Sequence, residues 1–170
     1  MADYFPGKIE IGGVVPRHCV EELFAEILET KASLDEYCQA EVTKEALQHA
    51  IEKKQILILC DDQARWGQFE ELEGFLLANG IHFNRHSDSY CEFDAEMIFF
   101  RGDEVSWFPA TQQGELLLLH CDVEEVLQKE ISDSEKVAML RRVAFPPELK
   151  PLTPLTIQED HDHEPGPNPL

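Results

Sequence analysis

Two short polar segments carry the side chains best suited to chemistry in this sequence. Residues 61–65 follow a run of apolar residues, and residues 85–92 follow a second, shorter run. Together they supply carboxylates, an imidazole and two guanidinium groups, which suit a ligand or partner site. The candidate site residues are Asp61, Asp62, Arg65, Arg85, His86 and Asp88. No catalytic residue is assigned, because the sequence contains none of the motifs typical of nucleotide, acyl-transfer or zinc chemistry.

These side chains allow two kinds of site. Carboxylate oxygens and an imidazole suit Mg²⁺ or Mn²⁺, and a histidine titrates near neutral pH, as acid–base catalysis requires. The simpler alternative is ordinary loop chemistry. In that case Asp62 caps a helix that begins near Arg65, and the arginines pair with nearby carboxylates. We therefore expect no cofactor, with Mg²⁺ or Mn²⁺ as the alternative.

The two segments lie together only if the strands before them are neighbours in a sheet. Residues 56–60 are continuously apolar, as in a strand that is covered on both faces. A helix is expected from Arg65 to Ala78, and a second strand over residues 81–85. In a parallel strand–helix–strand unit the carboxyl ends of both strands meet at one edge. The prediction of a common site depends on this adjacency.

The remaining elements indicate the fold class. Apolar residues at helical spacing over 20–28 predict an amphipathic helix, and Gly102-Asp103 predicts the turn of a hairpin. Residues 115–120 predict a further strand. Capping boxes at residues 122–125 and 132–135 predict two more helices. The predicted class is α+β (mixed α/β), a single domain with about five helices. Its mixed sheet of five or six strands contains one βαβ unit and an antiparallel meander.

The charge of the chain excludes some classes of function. There are 34 acidic and 14 basic side chains, which give a formal net charge of −20 at pH 7. A field of this sign repels phosphate backbones and anionic lipid, so we expect no direct nucleic-acid binding and no membrane binding. No long apolar segment or leader pattern is present. A basic protein partner remains compatible with the charge.

Two groups of residues are candidates for the surface that binds such a partner. Acidic side chains cluster on the expected helices, and aromatic side chains occupy the expected hairpin. The candidate interface residues are Phe100, Trp107, Phe108, Glu70, Glu71 and Glu73. Exposed aromatic residues mark protein interfaces. The alternatives are that the aromatic residues belong to the core and that the glutamates are solvated helix faces.

Proline content divides the chain into three parts. Residues 1–145 are expected to form the globular domain, residues 146–157 a proline-rich extended arm, and residues 158–170 a disordered acidic tail. The five cysteines are widely spaced and odd in number, which favours a reducing compartment, and we expect the protein to be cytoplasmic.

The sequence thus predicts an acidic binding protein that docks a basic protein partner, with inhibition or mimicry of nucleic acid as a special case. The alternative is a small metal-dependent enzyme or ligand binder that uses the polar loops after residues 60 and 85. The sequence does not determine the oligomeric state.

Overall fold

A computed structural model describes residues 3–34, 40–144 and 150–158 of the chain. The strands are β1 (Tyr4–Gly12), β2 (Val14–Val15), β3 (Leu57–Arg65), β4 (His82–Ser87), β5 (Glu96–Arg101), β6 (Glu104–Pro109) and β7 (Thr156–Ile157). The helices are α1 (Val20–Glu29), α2 (Lys44–Glu52), α3 (Glu70–Ala78), α4 (His120–Gln128) and α5 (Asp133–Ala144). A short 3₁₀ turn, Arg17–Cys19, precedes α1. The α+β class predicted from the sequence is confirmed.

A five-stranded sheet in the order β3-β1-β4-β5-β6 forms the centre of the fold, and every pairing within it is antiparallel. Side chains alternate between its two faces. Ile9, Leu59 and Phe83 lie on one face, where they pack against helices α1, α2 and α3. Lys8 and His86 are directly opposite each other on the other face, and both are half-buried.

The predicted parallel adjacency of the strands around α3 is wrong. β1 lies between β3 and β4 and is antiparallel to both, so the two strands run in the same direction without touching. The apolar run was interpreted as a central strand, but β3 is an edge strand. Its outer side is covered near Cys60 by Ser33, which exchanges two backbone hydrogen bonds with it at 2.8 and 2.9 Å. The parallel pairing in the described residues is that of β2 with β7.

The region after β6 differs from the predicted third strand of the meander. Leu116 makes a single bridge to Ala110, and the next three leucines are exposed before α4 begins at His120. Because α4 begins there, Asp122 lies inside the helix and does not cap it. The second capping box is confirmed, since Ser132 and Glu135 bond each other reciprocally at the start of α5.

Residues 150–158 lie along the domain in an extended conformation. Leu155 is buried in the main core, and its N–H donates to Gln55 O at 3.0 Å. Gly13 N donates to Thr153 O at 2.9 Å, which ties the segment to the turn between β1 and β2. The predicted domain boundary at residue 145 and nearly all of the predicted tail lie outside the described residues. No helix in the described part is long and apolar enough to span a membrane.

Candidate functional site

Strand β3 continues further than the sequence indicated, and this changes the setting of the first polar segment. Asp61, Asp62 and Arg65 belong to the strand itself. The strand ends because Trp66 and Gly67 adopt left-handed backbone angles, with φ of +54° and +64°. Helix α3 then begins at Glu70, after Phe69 as its N-cap residue, so Asp62 does not cap it.

Four of the six predicted site residues line one cleft, even though the strands are not adjacent. Asp61, Asp62, His86 and Asp88 surround a cleft of about 460 Å³, together with Lys8 and the 112–113 turn. The strand register brings the two polar segments to the same cleft, because Gly7 of β1 pairs with Asp61 on one side and with Ser87 on the other. One narrow strand therefore separates the two polar segments.

The imidazole in this cleft is held by two contacts. His86 Nε2 lies 3.0 Å from the carbonyl oxygen of Thr111, and a carbonyl can only accept, so Nε2 carries the hydrogen. Nδ1 is 3.7 Å from an oxygen of Asp88. Lys8, the amine in the cleft, is paired with Glu10 at 3.1 Å. The cleft therefore has a carboxylate-rich rim and one amine that already has a partner.

The geometry gives no support to a metal centre. In the parts of the chain that the structure describes, no three histidine, cysteine, aspartate or glutamate side chains come together in a way that could hold a metal ion. The Mg²⁺ or Mn²⁺ site considered from the sequence required Asp61, Asp62, His86 and Asp88 to converge on one point. They line one cleft without converging.

Arg85 lies on the opposite face of the sheet from His86 and is almost completely buried. Its Nη2 donates to Glu96 Oε1 at 2.7 Å, and Nη1 donates to Ser87 Oγ. Its Nε lies 3.0 Å from Glu73 Oε1, but the N–H is not aimed at that oxygen and makes no hydrogen bond within the described residues. Arg85 thus joins β4, β5 and α3, and it is unavailable to a ligand.

A second cleft, of about 310 Å³, lies between α1, α3 and the end of β3. Glu26 and Glu29 of α1 line it, together with Asp61 of β3 and Glu70 and Glu71 of α3. Five carboxylates therefore surround a single guanidinium, that of Arg65. That guanidinium lies over the Trp66 ring, 4.3 Å from its centroid, and is 3.9 Å from a Glu70 oxygen.

Asp61 lines both clefts and is the residue at which the two groups of carboxylates meet. We use the name acidic band for the carboxylates that line the two clefts, and its members are Glu26, Glu29, Asp61, Asp62, Glu70, Glu71 and Asp88. The candidate residues derived from the sequence did not include Glu26 and Glu29. Their spacing of three on the outer side of α1 was a visible signal, but nothing in the sequence showed that α1 lies beside α3.

The residues predicted to form an interface do not share one surface, because some are exposed and others are buried. Glu70 and Glu71 are exposed in the acidic band, whereas Glu73 faces inward to Arg85 and also accepts a hydrogen bond from Phe69 N at 2.9 Å. Phe100 is buried in the core. Phe108 is half-buried, with its ring centroid 5.8 Å from that of Phe99, and Trp107 is 53% exposed.

Comparisons of the chain with protein-family models, with curated proteins and with solved structures found no match.

Proposed function

We propose that this protein binds a basic protein partner through the acidic band. The observation that supports the proposal most directly is the position of Asp61, which lines both of the carboxylate-lined clefts. The seven carboxylates come from α1, β3, α3 and the segment after β4. They are opposed by Arg65 and by Lys8, which is already paired.

The electrostatics of the whole chain act in the same direction as the band. A net charge of −20 attracts a cationic partner at long range, and clefts with low-dielectric walls concentrate that field. The clefts also give lysine and arginine side chains a place to insert. A partner that normally binds nucleic acid would be inhibited, because the band would occupy its basic surface. We place this activity in the cytoplasm, in keeping with the cysteine content of the sequence.

A second candidate function is the binding of a small organic cation in the cleft beside His86. Its volume of about 460 Å³ is within the range of small-molecule sites. With Nε2 committed to Thr111, Nδ1 of His86 can accept a hydrogen bond from an ammonium group while Asp61 and Asp88 supply negative charge. This candidate shares Asp61 and Asp88 with the acidic band, but it does not depend on Glu70 or Glu71.

The test compares two variants with the same change in net charge. One variant replaces Glu26, Glu29, Glu70 and Glu71 with glutamine. The control replaces four exposed glutamates outside the band, which are Glu45, Glu52, Glu124 and Glu125. Each protein is immobilised, exposed to native lysate and eluted with a salt gradient, and the retained proteins are quantified by mass spectrometry.

We expect a basic partner to be retained by the wild type and the control and to be lost by the band variant. At about 0.5 kcal/mol for each exposed charge contact, four contacts give about 2 kcal/mol, or about 30-fold in Kd. The partner should elute at moderate salt. Equal retention by the band variant and the control, or retention that salt does not change, would show that the band is not the binding surface.

A further inference from the structure

Among the residues that the structure describes, nothing pairs with the outer edge of β6, and this edge has the features of a pairing surface. β6 is the last strand of the sheet and pairs only with β5 among the described residues. Val105 and Trp107 are 51% and 53% exposed on the same face of the strand. Exposed apolar edge strands invite pairing with another chain, and natural proteins normally protect them with lysine, bulges or a covering segment. Between Glu104 and Glu115 the sequence has no charged residue.

The orientation of the β6 backbone follows from the hairpin. Arg101 pairs with Glu104 across the two-residue turn, and Gly102 has a φ of +64° at the first central position, as a type II′ turn requires. In such a hairpin the closing pair is hydrogen-bonded, and bonded pairs then alternate along the strands. The even-numbered residues of β6 therefore bond to β5, and Val105 and Trp107 direct their N–H and C=O groups outward.

An independent contact confirms this orientation. Pro109 lies two residues beyond Trp107, and its carbonyl oxygen accepts a hydrogen bond from Leu117 N at 2.8 Å. Leu117 lies outside the sheet, so the carbonyls of odd-numbered residues do point away from β5. The same contact ends the open edge, which leaves the segment 104–108 available. Leu116 to Leu119, all exposed, extend the apolar surface beyond it.

We propose that the β6 edge pairs with β6 of a second copy of this chain to form a symmetric dimer. Antiparallel pairing centred on Ser106 places Val105 opposite Trp107 of the other copy, and Trp107 opposite Val105. Both pairs are then hydrogen-bonded through the outward groups, which gives four backbone bonds. Each pair also joins an aromatic and a β-branched side chain, a favourable cross-strand combination. In this register Glu104 faces Phe108, so no two carboxylates are directly opposite.

The position of the edge reduces the electrostatic cost of bringing two acidic chains together. The β3 edge, which carries Asp61 and Asp62 of the acidic band, is four strand spacings or roughly 19 Å away from β6, and Asp88, which follows β4, is the band member nearest to it. A dimer through β6 therefore forms a ten-stranded sheet with one acidic band at each end. The remaining repulsion is between screened charges, so added salt strengthens this pairing.

The experiment measures the mass of the full chain by light scattering during size-exclusion chromatography, from micromolar to millimolar concentration and at low and high salt. We expect the wild type to approach twice 19.5 kDa as concentration and salt increase. The variant V105K/W107K places lysine opposite lysine in both pairs, and it should remain at 19.5 kDa. The variant V105K/W107E places lysine opposite glutamate and should regain the dimer.

The two double variants control for each other, because both lose the same apolar side chains. V105K/W107K also makes the chain less negative, which reduces the overall repulsion between two copies. Loss of the dimer in this variant therefore reports on the strand pairing and not on net charge. Circular dichroism confirms that each variant is folded. The proposal is overturned if the wild type stays monomeric at millimolar concentration in high salt, or if V105K/W107K dimerises as well as V105K/W107E.

Discussion

Replacement of Arg85 by methionine tests how the second polar segment contributes to the fold. Its guanidinium is 1% exposed and joins β4 to Glu96 of β5 and Glu73 of α3. Methionine fills much of the same volume but carries no charge. It therefore leaves two carboxylates, 14% and 24% exposed, facing a site without a cation. The perturbation removes one partner of a buried ion pair and retains most of the packing.

The magnitude follows from this burial. Breaking a buried pair by removing one partner costs about 3–5 kcal/mol, because the remaining charge stays desolvated. We take about 4 kcal/mol, which corresponds to a decrease of roughly 12 °C in Tm for a domain of this size. Restoring neutrality by adding Glu73→Gln and Glu96→Gln to Arg85→Met should recover at least half of the loss, since a neutral site does not bury unpaired charge.

The assay is urea unfolding followed by fluorescence and circular dichroism. Glu70→Gln is the matched control, because its pair with Arg65 is exposed at a distance of 3.9 Å. We expect the control to change the free energy of unfolding by less than about 0.5 kcal/mol. A loss below about 1 kcal/mol for Arg85→Met, or a triple variant less stable than the single one, would refute the reasoning that this network is held together by buried charge.

Three further predictions concern Gly12, Gly74 and His82. A Cβ at Gly12 would overlap the backbone carbonyl of Thr153, so Gly12→Ala should cost about 1–3 kcal/mol and accelerate amide exchange at Leu155 and Thr156. Gly74→Ala, in an open helical position, should instead stabilise by about 0.5–1 kcal/mol in the same unfolding assay. Burial lowers the pKa of His82 below 6.5, with further contributions from Arg101 and Lys150. The stability that neutral His82 contributes to the folded state is therefore fully present above pH 6.5, and it is lost as pH falls towards the lowered pKa. Wild-type stability should decrease more than that of His82→Gln between pH 7 and 5, and parallel pH profiles would contradict this.

Patterns in the sequence correctly predicted the helices, caps and turns that are determined by residues close to one another in the chain. The apolar stripe of α1 appears as predicted, with Leu23, Phe24 and Ile27 buried. The capping box of Ser132 and Glu135 is present at the start of α5. The turn at Gly102 joins β5 and β6 in the expected place. Each of these features depends on residues within a few positions of one another, which is why periodicity and capping rules identify them.

The site depended on contacts that local patterns do not contain. The insertion of β1 between β3 and β4 is a long-range pairing, and the sequence offered a parallel neighbour as the simpler solution. Alternation within β4 places His86 and Arg85 on opposite faces of the sheet. That alternation was available from the sequence, and it excludes a site that uses both side chains. The prediction failed there because residues 85–92 were interpreted as a loop.

The two proposed surfaces respond to salt in opposite directions, and this follows from their places in the sheet. The proposed complex between the acidic band and a cationic partner is weakened by screening. Pairing of two β6 edges brings together chains of the same sign, so screening strengthens it. A partner that bound at β6 would compete with the dimer, whereas a partner on the band would leave it intact. Because the band lies at both ends of such a dimer, one basic partner with two suitable sites would bind more tightly to the dimer than to the monomer.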